Sequence, residues 1–597
     1  MVRNLFCKSV KNFVRLKFEN KVVLITGSGT GIGMTVAKKF VESGASVIIL
    51  GRRREPLEST SEMLTKIINE KNSNGFVKIF SGVDVSDENA ITEMFDTLKN
   101  EGVNVDIVVN NAGVSGPVTC FAHAPLEDFR STVDIHLTGT FWTSVQALKV
   151  MKEGAKIITI STFFAEERPL EQRPYRFRGP YTASQGAKNR LVEAMSWELT
   201  EKGIVSIGTN PGPVHSDRIY KTVYPKAASE FLRVSGFEEL IPTEVEIVNK
   251  EILGLLGEDE ETIKNGIKAA AEKLGKQEST LTNLLNKVQS IAEKIQKNTS
   301  TMIPDQQFLS QDQVATTILT LADDDQAKIL NGKIIPGDRV FYPVRSHITS
   351  IPETVKQHDY SSKIAVLTID ATDEEDAKRA EEIAANIESN GGQAICFISD
   401  KCSKEVQDSI TNKFHSHVID FSKNEEITRW FNTAKSKGDI EVFIHITGKV
   451  PNISRLTELS RKEWDGLTNK FINIPATVSQ NAMNIFVPNG SDDPRLFKDA
   501  TGRIVIIGPD LPYGKKIGGG ERAKVEVFRG ALRPFATTVN QELSDVLKSN
   551  VRVFLVLAGA VDGKESNNAR ITDAVNYSIS NDSKSSAEVI FCPDESR

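Results

Sequence analysis

The 597-residue sequence predicts an α/β protein of two tandem, doubly wound parallel-sheet domains, the first with a helical insertion. Two observations carry this. From Lys21 onward, short β-rich apolar runs alternate with helix-length segments, the pattern of strands covered on both faces by crossover helices. Four motifs then recur in the same order in the second half, which argues an internal duplication. Composition is ordinary for a globular chain: 39% hydrophobic, 25% charged, net charge −6. No run approaches the ~18 apolar residues of a membrane span. The mildly acidic, interspersed charge gives no electrostatic footprint for nucleic acid. Neither a membrane nor a nucleic acid is therefore an expected partner. The five cysteines, Cys7, Cys120, Cys396, Cys402 and Cys592, are too few and scattered for a disulfide scaffold or a zinc site. No metal is expected, and the cysteine usage fits a reducing compartment, hence the cytoplasm.

Residues 1–20 form a basic segment. Arg3, Lys8, Lys11, Arg15 and Lys17 face one acid, Glu19, while Val2, Leu5, Phe6, Val10, Phe13 and Val14 recur at helical spacing. Two readings stand: an organellar transit peptide, which would place the protein in an organelle matrix, or a short basic helix lying on the next domain.

The first domain is expected over 21–350. Strands are read at Val22–Thr26, Ser46–Leu50, Asp106–Asn110, Lys156–Ser161 and Val205–Thr209, with a helix running through Val41. Thr243 with Glu246 reads as a capping box. It opens a strandless stretch with helices expected around Glu244–Leu256, Glu260–Leu274 and Thr280–Gln296, stopped by Gly257 and Gly275. The insertion spans about residues 229–305, and Asn331-Gly-Lys-Ile-Ile supplies the last strand. The second domain is expected over 360–597. There Ile364–Thr368 repeats Val22–Thr26, Glu441–Gly448 repeats Asp106–Gly113, Arg503–Gly508 repeats Lys156–Ser161, and Asn540-Gln-Glu-Leu543 repeats Ser196-Trp-Glu-Leu199.

Thr26-Gly-Ser-Gly-Thr-Gly-Ile-Gly33 lies between the first strand and the first helix. Gly27, Gly31 and Gly33 let the chain turn tightly and bring N–H groups to a pyrophosphate, at a helix N-terminus whose dipole favours the anion. Ser28 and Ile32 belong to the same candidate cradle. The second strand ends Leu50-Gly-Arg-Arg-Arg54, with no acid to bond a ribose 2′-hydroxyl. Arginine suits a 2′-phosphate, so the expected cofactor is NADPH, with Arg52 its first contact.

Asn110-Asn-Ala-Gly113 follows the next central strand, and Ser161 and then Tyr181 follow in turn. With these motifs in this order the chain resembles the short-chain dehydrogenase/reductase family. The resemblance implies a Rossmann-type fold. It also implies that Asn110, Ala112 and Gly113 line the nucleotide, Asp84 contacts adenine, and Pro211-Gly212-Pro-Val214 lies beside the nicotinamide. In the family a tyrosine donates a proton to the substrate carbonyl as hydride arrives, and a serine bonds that oxygen. These are Tyr181 and Ser161 here. A lysine four residues after the tyrosine binds ribose and makes the phenol a better acid; this chain has Gln185 there. The family's proton-relay asparagine falls at His136, whose imidazole titrates near ~6.5 and could relay protons or sit as a hydrogen-bonded core residue. Lys188, seven residues after Tyr181, lies nearly two turns away and is a poor direct substitute.

Further features narrow the resemblance. Twenty positions separate Ser161 from Tyr181 and include Pro174-Tyr-Arg-Phe-Arg178. Pro211-Gly-Pro-Val-His-Ser-Asp-Arg218 follows, then the helical insertion and the second repeat. Together these resemble one half of the bifunctional malonyl-CoA reductases, closer to the C-terminal half, which reduces the thioester, than to the N-terminal half, which reduces the aldehyde. That resemblance implies a CoA thioester or small carbonyl substrate, with Arg218 on its free carboxylate and the insertion over the CoA moiety. In the second repeat Ile369, Asp373 and Glu375 stand where glycines should, Gly508 replaces the serine, and Val525 with Arg529 replaces the tyrosine pair. Acidic residues there would repel a pyrophosphate, so the second domain reads as a non-catalytic scaffold. A tandem chain of this kind reaches a four-fold arrangement as a homodimer. The sequence thus supports an NADPH-dependent reductase of an acyl-CoA thioester or its semialdehyde. A reductase of another small carbonyl compound is the alternative. A catalytically weakened NADPH-binding or scaffold protein is the reading that Gln185 and His136 favour.

Overall fold

The computed structural model describes residues 17–592 apart from 72, 164–175, 215–222, 302, 338–347, 372, 488–492, 512–518, 559–567 and 581–588. Two parallel sheets organise the chain. The first holds β1 (Val22–Thr26), β2 (Ser46–Gly51), β3 (Val77–Ser81), β4 (Ile107–Asn110), β5 (Lys156–Ile160), β6 (Val205–Pro211) and β7 (Ile334–Gly337), in the order β3-β2-β1-β4-β5-β6-β7. The second holds β8 (Ile348–Ser350), β9 (Ile364–Ile369), β10 (Gln393–Ser399), β11 (His415–Ile419), β12 (Ile440–Ile446), β13 (Thr501–Ile507), β14 (Asn550–Ala558) and β15 (Val589–Cys592), in the order β11-β10-β9-β12-β13-β14-β15-β8. With β8 set aside, the two strand orders are the same, so the duplication read in the sequence is a duplication of topology. Both sheets reverse winding direction beside their first strand, the switch point where such sheets open a crevice. Central strands are apolar throughout because helices cover both faces: β4 and β5 are buried at every residue.

Four expectations need correction. β8 pairs in parallel with β15 at the edge of the second sheet, so a first domain ending at 350 would take a strand from its neighbour. β3, a half-exposed edge strand, lies outside the strands read from sequence. The insertion contains a helix, Tyr224–Ser235, ahead of the three expected ones, which run Pro242–Ile252, Glu260–Leu274 and Glu278–Ser300. The helix Pro242–Ile252 is not opened by Thr243 and Glu246; the Glu244 carboxylate accepts the Ile241 N–H at 3.1 Å, two residues after Pro242 has begun the turn. Gly257 and Gly275 do stand at helix ends, with φ of 85° and 62°. Of the basic segment, residues 1–16 lie outside the described residues.

The domains pack through equivalent helices, Gly179–Leu199 from the first and Gly519–Gln541 from the second. They touch at Gly186 and Gly530, so closely that a Cβ on Gly186 would lie 2.1 Å from the Gly530 carbonyl oxygen. The packing is reciprocal. Glu198 of the first domain accepts the Leu456 and Thr457 N–H groups of the second, at 2.6 and 3.0 Å. Glu542 of the second accepts the Phe121 and Phe177 N–H groups of the first, at 2.7 and 2.8 Å. Beside them Trp464 stacks on Phe141 with ring centroids 3.8 Å apart and donates to the Thr138 hydroxyl at 3.2 Å.

Candidate active site

The glycine segment closes off β1 at the switch point. Gly27 and Gly31 hold φ of 65° and 64°, a region open to glycine at no steric cost. The Asn110–Gly113 segment braces this loop from behind. Thr26 Oγ1 accepts the N–H groups of Asn111 and Ala112, both at 2.9 Å. Asn111 Nδ2 donates to the carbonyls of Thr26 and Gly27 at 2.9 and 3.1 Å. Asn110 Nδ2 reaches Ser144 Oγ at 2.9 Å. A Cβ on Gly27 would press 2.9 Å from Ala112 Cα, whereas one on Gly31 would meet nothing within 4 Å. The loop is thus tight against the fold at Gly27 and open at Gly31. The helix Gly31–Glu42 starts there with no acid in its first turn, leaving its N-terminal N–H groups available to an anion. Ile32 is half-buried on that turn. Ser28 is different from the expectation: it is fully buried, donates to the Ile25 carbonyl at 2.9 Å and accepts the Leu50 N–H at 3.0 Å. Its hydroxyl ties β1 to β2, so it does not face the open side.

Arg52 stands exposed at the end of β2, with Nη1 3.6 Å from Asp84 Oδ2. The other Asp84 oxygen accepts the Ser86 N–H and hydroxyl at 3.0 and 2.7 Å. The expected adenosine-end residues therefore sit side by side, joined by an ion pair too exposed to hold them strongly.

The four residues expected at the reaction centre come together. Tyr181 occupies the first turn of the Gly179–Leu199 helix, with Pro180 placed where a missing N–H costs nothing. The His136 ring meets the Tyr181 ring edge-on, with centroids 5.3 Å apart. His136 rides on a π-turn, Asp134–Thr138. Its Nε2 lies 2.8 Å from the Val114 carbonyl oxygen and its Nδ1 3.2 Å from Gln185 Nε2. The Val114 N–H also points at Nε2, at 3.3 Å; the shorter carbonyl contact is met by a neutral ring donating from Nε2 and accepting the glutamine amide at Nδ1. Gln185 Oε1 is then a buried acceptor with no protein partner, a place for an incoming hydroxyl. Ser161 is buried and donates to the Gln185 main-chain carbonyl at 3.1 Å. Gly113 must be glycine, since a Cβ would fall 2.5 Å from His136 Cε1. Pro211 ends β6 beside Gly337 of β7, Gly212 follows it buried, and Val214 bridges to Leu309. Arg218 lies outside the described residues.

Two further residues belong to this neighbourhood. Lys188 is fully buried on the Tyr181 helix, and burial pushes its ammonium down to about 7. Arg178 is the residue sequence reasoning missed. It is 5% exposed, its guanidinium lies 3.9 Å from the centre of the Tyr181 ring, and Nη2 donates to the Ser115 carbonyl at 2.5 Å. The basic run before Tyr181 was visible in the sequence; the second domain's contacts to the two residues ahead of Arg178, Glu542 to the Phe177 N–H and Asp545 to Arg176, were not.

The second domain's equivalent crevice is filled by its own side chains. The Asp373 carboxylate caps the helix Glu374–Ser389, accepting the N–H groups of Glu375 and Asp376 at 3.1 Å each. It thus takes the position a phosphate would need. Lys449 closes over it, 2.7 Å from Asp373 and 2.8 Å from Glu375. Behind them Arg379 is wholly buried and paired with Asp510.

Residues 21–224 match the family described as short chain dehydrogenase. The 3alpha-hydroxysteroid dehydrogenase of Mediterraneibacter gnavus is 32% identical over 209 residues, 35% of this chain and 78% of that protein. The 7alpha-hydroxysteroid dehydrogenase of Escherichia coli K12 is 27% identical over 231 residues, 38% of this chain and 85% of that protein. Two solved structures share the fold across both domains. The C-domain of a bacterial malonyl-CoA reductase with NADP covers 97% of this chain and 99% of its own, at a TM-score of 0.72 and 16% identity. The N-domain with NADP covers 97% and 98%, at 0.69 and 15%.

Proposed function

This chain belongs to the short-chain dehydrogenase/reductase family, and on that premise we propose that its first domain is an NADPH-dependent reductase of a CoA thioester of the malonyl type. The observation that carries the reaction class is the cluster of Tyr181, His136, Gln185 and Ser161 at the switch point, beside a glycine loop that is open at Gly31. The thioester is favoured by likeness to the malonyl-CoA reductase domains, which have the same tandem plan from end to end.

The residues fit the cofactor. The loop N–H groups and helix N-terminus at Gly31 would hold the pyrophosphate, with Gly27 and Gly33 allowing the approach. Arg52 would exchange its exposed contact with Asp84 for the 2′-phosphate. The partnerless Gln185 Oε1 would accept a ribose hydroxyl. When bound, NADPH supplies the hydride. Tyr181 would donate its proton to the carbonyl oxygen, and Ser161 would turn from the Gln185 carbonyl to bond the same oxygen, so that donors face the charge as it develops; the hemithioacetal so formed would return its hydroxyl proton to Tyr181 as its C–S bond breaks, releasing the aldehyde and a CoA thiolate that takes a proton from water. His136, held at Nε2 by Val114, would fix the Gln185 amide through Nδ1 and so present Gln185 Oε1 to the ribose. Arg218 is the proposed holder of the substrate's carboxylate. We take the second domain as the scaffold of this site, and a homodimer in a reducing compartment as the assembly.

The hydroxysteroid dehydrogenases, similar in the first domain, favour a second reading in which a ketone or aldehyde is reduced instead. The test is NADPH oxidation by the purified chain with malonyl-CoA and malonate semialdehyde offered separately, while free CoA is followed. Oxidation with CoA release is the expected result. Oxidation with the semialdehyde alone moves the assignment to the aldehyde step. Silence with both, alongside measurable NADPH binding, overturns the proposal and leaves a different carbonyl substrate or a non-catalytic role.

A further inference from the structure

Gln185 leaves Tyr181 without the cation that the family's lysine places four residues along the helix. We propose that Arg178 supplies that positive charge from the opposite side of the ring, and that the second domain holds it there through Glu542 and Asp545. The inference rests on Tyr181 being the proton donor.

Among the described residues, the surroundings of Tyr181 narrow the choice. Gln185 is neutral and bonded to His136 Nδ1. His136 has both nitrogens engaged as a neutral ring. Lys188 lies further along the same helix, and burial disfavours its charged form. Arg178 carries a permanent charge. Its guanidinium is 3.9 Å from the Tyr181 ring centre, well inside the ~6 Å range of a cation–π contact. Against a neutral phenol that contact is a modest attraction to the ring face. Against a phenol that has given up its proton it becomes attraction between opposite charges in a site largely shielded from water. The contact therefore strengthens as the proton leaves, which is what a transition-state interaction must do.

An arginine side chain has many rotamers, so its position needs support. Phe177 takes a left-handed φ of 68° and is fully buried, with Phe231 of the insertion 4.9 Å away, ring centre to ring centre. Its N–H is held by Glu542 at 2.8 Å, and its carbonyl by the Thr119 N–H at 3.1 Å. Arg176 pairs with Asp545. The chain entering this strained turn is thus fixed from the second domain, the chain leaving it is held by Thr119 and Ser115 of the first, and Arg178 emerges directly beneath Tyr181. Other ionisable groups packed behind the turn are Glu230, Arg233 and Cys120, of which Glu230 is paired with Arg233 at 2.6 Å and accepts the Cys120 N–H at 2.7 Å. Glu542 is accordingly a positioning residue, and Arg178 touches the reacting group.

The experiment compares wild type, Arg178→Gln, Arg178→Lys and Tyr181→Phe in the full chain. Two readouts are used: the pH profile of single-turnover NADPH oxidation, and the tyrosinate ultraviolet titration of the NADP-bound protein, with Tyr181→Phe as baseline. Arg178→Gln should lower turnover about a hundredfold, the scale of one proton-transfer contribution, with NADPH KM nearly unchanged. It should also move the Tyr181 tyrosinate signal to higher pH, and Arg178→Lys should restore part of both effects. If Arg178→Gln does not fold, Arg178→Met keeps the aliphatic stem and carries the same test. An unmoved tyrosinate titration and pH profile, with Tyr181→Phe inactive, overturns the proposal. Undiminished turnover in Tyr181→Phe would instead overturn the reading of the active site on which it rests.

Discussion

Replacing Gly186 with alanine should destabilise this protein, although the same change in an open helix stabilises it. Helix propensity alone favours alanine over glycine by about 1 kcal/mol. Against that, the new Cβ would lie 2.1 Å from the Gly530 carbonyl oxygen and 2.7 Å from Pro534 Cγ. Ordinary contacts between carbon and a carbonyl oxygen are ~3.3 Å or longer, so the two helices must separate by about 1 Å. The obstacles are a backbone and a proline ring, with no flexible side chain to swing aside. Overpacking of this kind costs ~1–3 kcal/mol and occasionally more, which outweighs the propensity gain. The net expectation is a loss of up to about 2 kcal/mol. Gly530→Ala should be milder, because its Cβ would meet Arg190 Cγ at 2.4 Å, on a side chain that can turn, and its backbone contact, the Gly186 carbonyl oxygen, is at 3.0 Å rather than 2.1 Å. Gly466 supplies the control: it lies in the helix Arg461–Thr468 with nothing within 4 Å of a Cβ, so Gly466→Ala should stabilise. Urea unfolding of the three variants gives the midpoints. A Gly186→Ala protein as stable as wild type, or one shifted in the same direction as Gly466→Ala, would refute the close helix contact and the domain arrangement built on it.

Other expectations follow from single groups. Arg52→Ala should weaken NADPH relative to NADH by about 10- to 100-fold, the worth of one charge-assisted hydrogen bond, read as the ratio of the two KM values; an unchanged ratio sinks the assignment. Lys188 has a usual value of 10.5 and about 7 in the fold, so between these the unfolded chain binds more protons and stability rises with pH. Lys188→Met should abolish that slope and raise the urea midpoint at pH 7, and a fall in midpoint would show that the ammonium has a partner. Glu542 runs the other way. Burial pushes its carboxyl up to about 8 from 4.5, so the folded chain holds the extra proton and stability falls with rising pH across that window. Glu542→Gln should flatten the dependence; persistence of the full slope assigns it to another group.

What could be read from the sequence tracks how local each signal is. β1, β2, β4, β5 and β6 were legible to within about two residues, because strands covered on both faces are nearly continuous apolar runs. β3, Val77-Lys-Ile-Phe-Ser81, is a half-exposed edge strand and lacks that signature. The Tyr224–Ser235 helix was hidden by Pro225, a breaker in mid-helix but harmless in the first turn where it stands. At the active site, Tyr181 and Gln185 are one helical turn apart, and their neighbourhood follows from spacing. His136 and Ser161 come from the resemblance and from the ends of adjacent elements. Arg178 was out of reach because the Glu542 contact that orients its turn joins residues 365 positions apart. Ser28 was misplaced for a similar reason: whether a loop hydroxyl faces a ligand or the neighbouring strand depends on β2, which pattern alone does not orient.

Comparison of the two halves shows what the second domain lost and what it retains. Its nucleotide crevice is blocked by Asp373, Glu375 and Lys449, and Val525 stands where the first domain has Tyr181. Yet Gly530 matches Gly186 at the helix crossing, Glu542 matches Glu198 as acceptor for the other domain's N–H groups, and the π-turn at Asn469–Asn473 matches Asp134–Thr138. The positions that differ are those a cofactor would touch, and those that agree are the ones one domain presents to the other. On the proposal made above, the second fold supports the first domain's site, because Glu542 and Asp545 reach the turn that leads to Arg178 and Tyr181. Covalent linkage makes that support independent of protein concentration, since the supporting domain is always at the high effective concentration of a tethered partner. Dilution should therefore leave the geometry beneath Tyr181 intact, whereas in a dimer of single domains the equivalent support would dissociate with the partner.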